Sequence, residues 1–139
     1  MKYFRIATLG ISLQMAYLAL FIVVAGRGGA ELGKSVVIVL AALSMLVLLT
    51  HAGRLYSLGR TAMLCALLAI GFILAFHLLG LLFFPDLLRD ADGWSIDYLI
   101  SNAKVIATLF VLYFVTTLAM RGLINFFWRQ RAPDSGSSR

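Results

Sequence analysis

Apolar residues in this chain come in long uninterrupted runs, and the charged ones gather at the joints between them. A helix needs about 20 apolar residues to cross roughly 30 Å of hydrocarbon. Four stretches reach that length: 6–25, 35–53, 61–85 and 104–128. The first three carry no Asp, Glu, Lys or Arg. The fourth is uncharged from Val105 to Met120 and continues through Arg121 to Trp128, largely apolar again. No strand-like alternation runs through them, and backbone groups in lipid must pair within their own segment, so each is expected to be a helix. The pattern predicts an all-α integral membrane four-helix bundle made of two helical hairpins, with residues 1–131 as its single domain.

The joints carry turn chemistry. Gly26-Arg27-Gly28-Gly29 follows the first run, and Pro85-Asp86 stops the third because proline cannot continue a helix. Residues 86–102 read as the one sizeable loop, with a turn at Asp90-Ala91-Asp92-Gly93 and with Trp94 and Tyr98 placed for the headgroup level. Residues 132–139 read as a disordered polar tail. The first run has a basic start and a passable cleavage site at Val23-Val24-Ala25. It is long for a signal core, however, and three more runs follow, so it is read as a span.

Composition supports the same picture. Of the 139 residues, 62% are hydrophobic and 13% charged, against about 45–50% and 25% in soluble domains. A soluble fold of this size could not hide so much apolar surface. The net charge of +6 does not point to nucleic acid, because the basic residues end apolar runs and form no soluble stripe. They suit anionic lipid instead. Lys2, Arg5, Arg54, Arg60, Arg121, Arg129, Arg131 and Arg139 fall on one side of the expected membrane, and Arg27, Lys34, Arg89 and Lys104 on the other. The positive-inside rule then puts both termini in the cytoplasm of an inner-membrane, multi-pass protein. Cys65 is the single cysteine; it excludes an intrachain disulfide and reads as a small packing residue.

Polar groups within the runs are few, and so they are informative. No Asp, Glu or Lys lies at a helix centre, which speaks against a carrier built on an intramembrane carboxylate. Gln14 and Tyr17 are three apart and share a helix face. His77 lies about two thirds of the way along the third run. All three either bond across helices as packing residues or line a polar path through the bundle. Ser12/Ala16, Ala62/Ala66, Gly71/Ala75 and Ala103/Ala107 are small-residue steps suited to close helix packing. His51 and Arg54 end the second run and form a candidate anion-binding corner. Arg121 either snorkels to the headgroups or faces the bundle and holds a phosphate, for which a guanidinium is suited. Arg54 and Arg121 end equivalent helices on the same side, so together they are a candidate phosphate clamp. No nucleophile–His–acid set, metal-ligand spacing or phosphate-binding glycine loop is present, so no enzyme activity, metal or cofactor is expected.

Both hairpins end in an Arg-bearing aromatic segment. Four spans, cytoplasmic termini and these two endings resemble the GtrA-like membrane proteins. In that family, spans two and four end in a segment close to NFxxNRxWTF. Arg54, Tyr56, Ser57 and Leu58 are similar to the end of the first copy, and Ala103 to Thr108 resembles the opening of the fourth helix. The second copy falls either on Met120-Arg121 or on Asn125 to Trp128. The chain departs from the pattern at Leu49 and Gly53, where the family has Asn, and at Thr116-Thr117, where Asn-Phe is expected. The resemblance implies non-enzymatic translocation, or assistance to translocation, of a polyprenyl-phosphate-linked sugar for cell-surface polysaccharide glycosylation. Its implied partner is a membrane glycosyltransferase, and because four short helices enclose little volume a second copy of the chain or a partner enzyme is expected. In that reading Arg54, Arg121 and His51 bind the lipid phosphate, and Gln14, Tyr17 and His77 serve the sugar. The alternative is a small accessory or scaffolding subunit of a larger membrane complex.

Overall fold

The computed structural model describes residues 2–26, 31–83 and 96–131. They form four helices: α1 (Lys2–Gly26), α2 (Glu31–Leu55), α3 (Leu58–Phe83) and α4 (Ile96–Arg131). Each is long and apolar enough to cross a membrane. Residues 1, 27–30, 84–95 and 132–139, on which the expected turns and polar tail fall, lie outside the described residues, as do the side chains of Lys2, Ile96, Asp97, Tyr98, Arg129, Gln130 and Arg131.

The helices outrun the apolar stretches at their polar ends. In α2, Glu31 opens the first turn, where its carboxylate suits the positive end of the helix dipole. Lys34 Nζ donates to Glu31 Oε1 at 2.9 Å, and Ser35 Oγ donates back to the Glu31 carbonyl at 3.0 Å. At the other end of the chain, α4 begins by Ile96, so residues 96–102 are helical and do not belong to the loop. That segment holds no Gly or Pro to stop a helix. With 36 residues, α4 is about 54 Å long at 1.5 Å per residue.

Tyr56 and Ser57 alone separate α2 from α3. Tyr56 N–H closes back on the Ala52 carbonyl at 3.0 Å, and the Ser57 carbonyl accepts Thr61 N–H at 2.9 Å, which makes Ser57 the N-cap of α3. Despite this short link, α2 and α3 barely touch. The packing partners are α1 with α2 and α3, and α4 with α2 and α3, so the cyclic order is α1–α2–α4–α3. The helices of each hairpin are therefore neighbours, while α2 faces α3 across one diagonal and α1 faces α4 across the other.

The core is concentrated near the α2–α3 link, where Ala7, Leu48, Leu49, Ala52, Leu64 and Leu68 are buried together. Two glycines allow the close approach there. A Cβ on Gly10 would run into Leu68 and Leu48, and one on Gly71 would sit 2.7 Å from Ile11 Cγ1. Of the four small-residue steps, Gly71/Ala75 is buried, Ala62/Ala66 is half-buried, and Ser12/Ala16 and Ala103/Ala107 are exposed. The last two steps are therefore not packing seams within this bundle. Small residues permit close approach, but they do not determine which face of a helix meets a neighbour.

Candidate functional site

The ends of α2 and α4 meet at a glycine. A Cβ on Gly53 would lie 2.8 Å from Thr117 Cγ2. Thr117 is wholly buried, and its hydroxyl donates to the Tyr113 carbonyl at 2.7 Å. This seam sets the level of the two helices. Arg54 follows Gly53 directly, and Arg121 lies one turn beyond Thr117. The two arginines line one cavity of about 350 Å³, together with Asn125 and Trp128.

On α4 the lining residues Arg121, Ile124, Asn125 and Trp128 follow the i, i+3, i+4, i+7 spacing of one helix face. Both placements of the second Arg-aromatic segment, at Arg121 and at Asn125 to Trp128, thus fall on the same cavity. Asn125 and Trp128 belong to the aromatic end of the second hairpin, and their spacing from Arg121 is the signal that selects them from it. Both guanidiniums are exposed. No Asp or Glu lines the cavity, and the ion pair among the described residues is Lys34–Glu31, at the far end of α2.

A second cavity, of about 360 Å³, lies along the outward side of α2 beside Met120. His51, Thr50, Leu46 and Val47 line it, and so does Arg54. His51 and Arg54 thus line one cavity together, and Arg54 alone of the two also lines the other. Thr50 spends its hydroxyl proton on the Leu46 carbonyl at 2.7 Å, leaving oxygen lone pairs toward its surroundings.

Gln14 and Tyr17 both reach across the bundle. Gln14 Nε2 donates to the Tyr113 hydroxyl at 3.0 Å, bridging the diagonal pair α1 and α4. Tyr17 shares a hydrogen bond of 2.8 Å with Ser44 of α2. These two residues and Tyr113 line a third cavity, of about 390 Å³, with an otherwise apolar wall that includes Phe21 and Phe72. Gln14 is 5% exposed, and its Oε1 is buried without a partner. His77 is not part of this cavity. Its Nδ1 lies 2.7 Å from the Ile73 carbonyl on its own helix, and its ring meets Phe76 edge-on at 6.0 Å. The structure thus brings Gln14 and Tyr17 together and leaves His77 apart.

Tyr113 and Tyr3 carry no signal in the sequence that marks them as partners, and the contacts of Thr117, Tyr56 and Cys65 emerge only from the packing. Tyr113 and Thr117 are one turn apart on α4, and both turn toward the bundle. Tyr3 and Tyr56 pack edge to face at 5.3 Å beside the core, with hydroxyls buried and unpartnered among the described residues. Cys65 is fully buried, with its sulfur 4.0 Å from the Thr117 hydroxyl. Among the described residues, no three of His, Cys, Asp or Glu come together as metal ligands would.

The chain matches no family model, no curated protein and no solved structure.

Proposed function

We propose that this protein is a multi-pass protein of the inner membrane, with both termini cytoplasmic, that binds a polyprenyl-phosphate-linked sugar and carries it, or helps to carry it, across the bilayer without chemical change. One observation carries the reading: Arg54 and Arg121 line a single cavity with no carboxylate on its wall. Two guanidiniums that share one cavity repel each other, and no carboxylate on its wall offsets either charge. A phosphate offsets both, because each guanidinium can meet it with two parallel hydrogen bonds. Gln14 and Tyr17 supply hydrogen bonds within the bundle to the sugar as it crosses, and His77 supplies one from its own position on α3. A glycosyltransferase partner or a second copy completes an enclosure that four helices alone leave small.

The test separates a clamp from arginines that merely reach for headgroups. Lysine replaces a snorkelling arginine because any long cation serves, but it lacks the planar fork. Arg54→Lys and Arg121→Lys should both insert normally, yet each should weaken binding of a polyprenyl phosphate to the purified protein by about 1–3 kcal/mol, the range for hydrogen bonds to charged groups. Wild-type affinity in both variants rules the clamp out.

One observation favours a second reading, an accessory subunit. Beyond Arg121, α4 runs ten residues further, to Arg131, whereas α2 ends one residue after Arg54. Leu123, Phe126 and Phe127 are exposed on that extension, on the side away from the arginine cavity. A larger membrane complex could dock there.

A further inference from the structure

The placement of Arg54 between two cavities specifies the ligand more closely, on the reading that Arg54 and Arg121 hold phosphate. Along α2 the residues Leu46, Val47, Thr50, His51 and Arg54 line one cavity. Within eight positions, about 12 Å of helix, that wall changes from aliphatic to hydroxyl, to imidazole, to guanidinium. On the other side of Arg54 the second cavity offers Arg121, then Asn125 and Trp128. The nitrogen donors therefore stand in a row: His51, Arg54, Arg121. His51 and Arg54, three residues apart, are neighbours on the helix surface, and Arg54 and Arg121 face a common space.

A single phosphoryl group between the two arginines would sit in a cavity that His51 does not line. A diphosphate fills the row. We infer that the site takes a lipid diphosphate: the phosphoryl group next to the chain lies between His51 and Arg54, and the outer one between Arg54 and Arg121. The hydrocarbon chain leaves along Leu46 and Val47 beside Met120, and whatever the outer phosphoryl bears meets Asn125 and Trp128. The order of wall chemistry matches the order of groups in such a molecule, with tail, two phosphoryl groups and polar head in sequence. The lipid then enters sideways along the outward groove between α2 and α4, and its chain does not occupy the apolar cavity lined by Gln14, Tyr17 and Tyr113.

The experiment measures binding of farnesyl diphosphate, farnesyl phosphate and inorganic pyrophosphate to the purified full chain. Wild type should bind farnesyl diphosphate at least about tenfold more tightly than either of the others, since the diphosphate adds one charge-assisted contact and the chain adds apolar burial. Extra negative charge alone would also favour a diphosphate, so the deciding reading is the ratio of the two farnesyl affinities. That ratio should fall to near one in His51→Ala and stay at its wild-type value in Arg60→Ala, which removes a nearby positive charge outside both cavities. Equal affinity for the two farnesyl lipids in wild type, or a ratio that His51→Ala leaves intact, overturns the diphosphate. Pyrophosphate binding as tightly as farnesyl diphosphate overturns the lipid seat along Leu46 and Val47. If Arg54→Lys and Arg121→Lys weaken both farnesyl lipids while the wild-type ratio is one, the clamp stands and only the diphosphate falls. If neither lipid binds at all, both fall.

Discussion

Gln14 shows how a polar residue inside an apolar helix is tolerated. Its amide nitrogen has a partner in Tyr113 and its amide oxygen has none among the described residues. A hydrogen bond between membrane helices contributes only about 0.6 kcal/mol on average, whereas a buried polar atom left unpaired costs about 1–3 kcal/mol. The two ends of this bond should therefore respond unequally to mutation. Gln14→Leu removes the bond together with an oxygen already unpaired, so it should cost less than about 1 kcal/mol. Tyr113→Phe strands the whole amide and should cost about 1–2 kcal/mol. The double variant should recover most of that loss. Unfolding in mixed micelles measures all three, and equal costs for the two single variants would show that the amide oxygen has a partner after all.

At the scale of the helices, the contact that matters most is the glycine seam between α2 and α4. Alanine at position 53 would press on Thr117, a stiff β-branched side chain with no room to turn. Overpacking typically costs about 1–3 kcal/mol, while alanine returns up to about 1 kcal/mol of helix propensity. Gly53→Ala should thus lower stability overall and, by moving α2 away from α4, weaken phosphate-lipid binding along with it. Gly59→Ala is the control, because nothing lies within 4 Å of its added Cβ; it should be neutral or slightly stabilising in the same unfolding measurement.

Sequence and structure part company at this scale for identifiable reasons. The four apolar runs were legible because bilayer thickness imposes a length on them, whatever their neighbours. Helix ends were less so: Glu31 opens α2 by favouring its first turn, which run length alone does not detect. The shared level of Arg54 and Arg121 followed from their equivalent places at the ends of two hairpins. The azimuth of each residue did not follow, since exposed apolar side chains surround these helices as fully as buried ones. With no polar face to mark the outside, Ser12 and Ala16 looked as suited to packing as Gly71 and Ala75. The α1–α2–α4–α3 order was equally hidden, because a two-residue link says nothing about which diagonal it crosses.

For the molecule as a whole, the orientation proposed above rests on eight basic residues on one side against four on the other. Reporters fused after Arg131 and inside the Asp90–Gly93 turn test it. The first should report cytoplasm and the second the outer side. A periplasmic signal from the C-terminal fusion overturns the four-span topology, and with it the cytoplasmic placement of the arginine cavity.

The two ends of the bundle are unequally packed, with the core near the Tyr56–Ser57 link and the cavity of about 390 Å³ opening away from it among all four helices. Mechanically the bundle is stiffest near the link and softest beside the cavity. Thermal opening is then expected to pivot about the stiff end instead of loosening the bundle evenly. In amide exchange on the detergent-solubilised protein, residues 45–53 and 61–71 should be the last to take up deuterium, and 31–42 of α2 should exchange well ahead of them. Uniform exchange along α2 would mean that the bundle opens as one body, with no pivot at all.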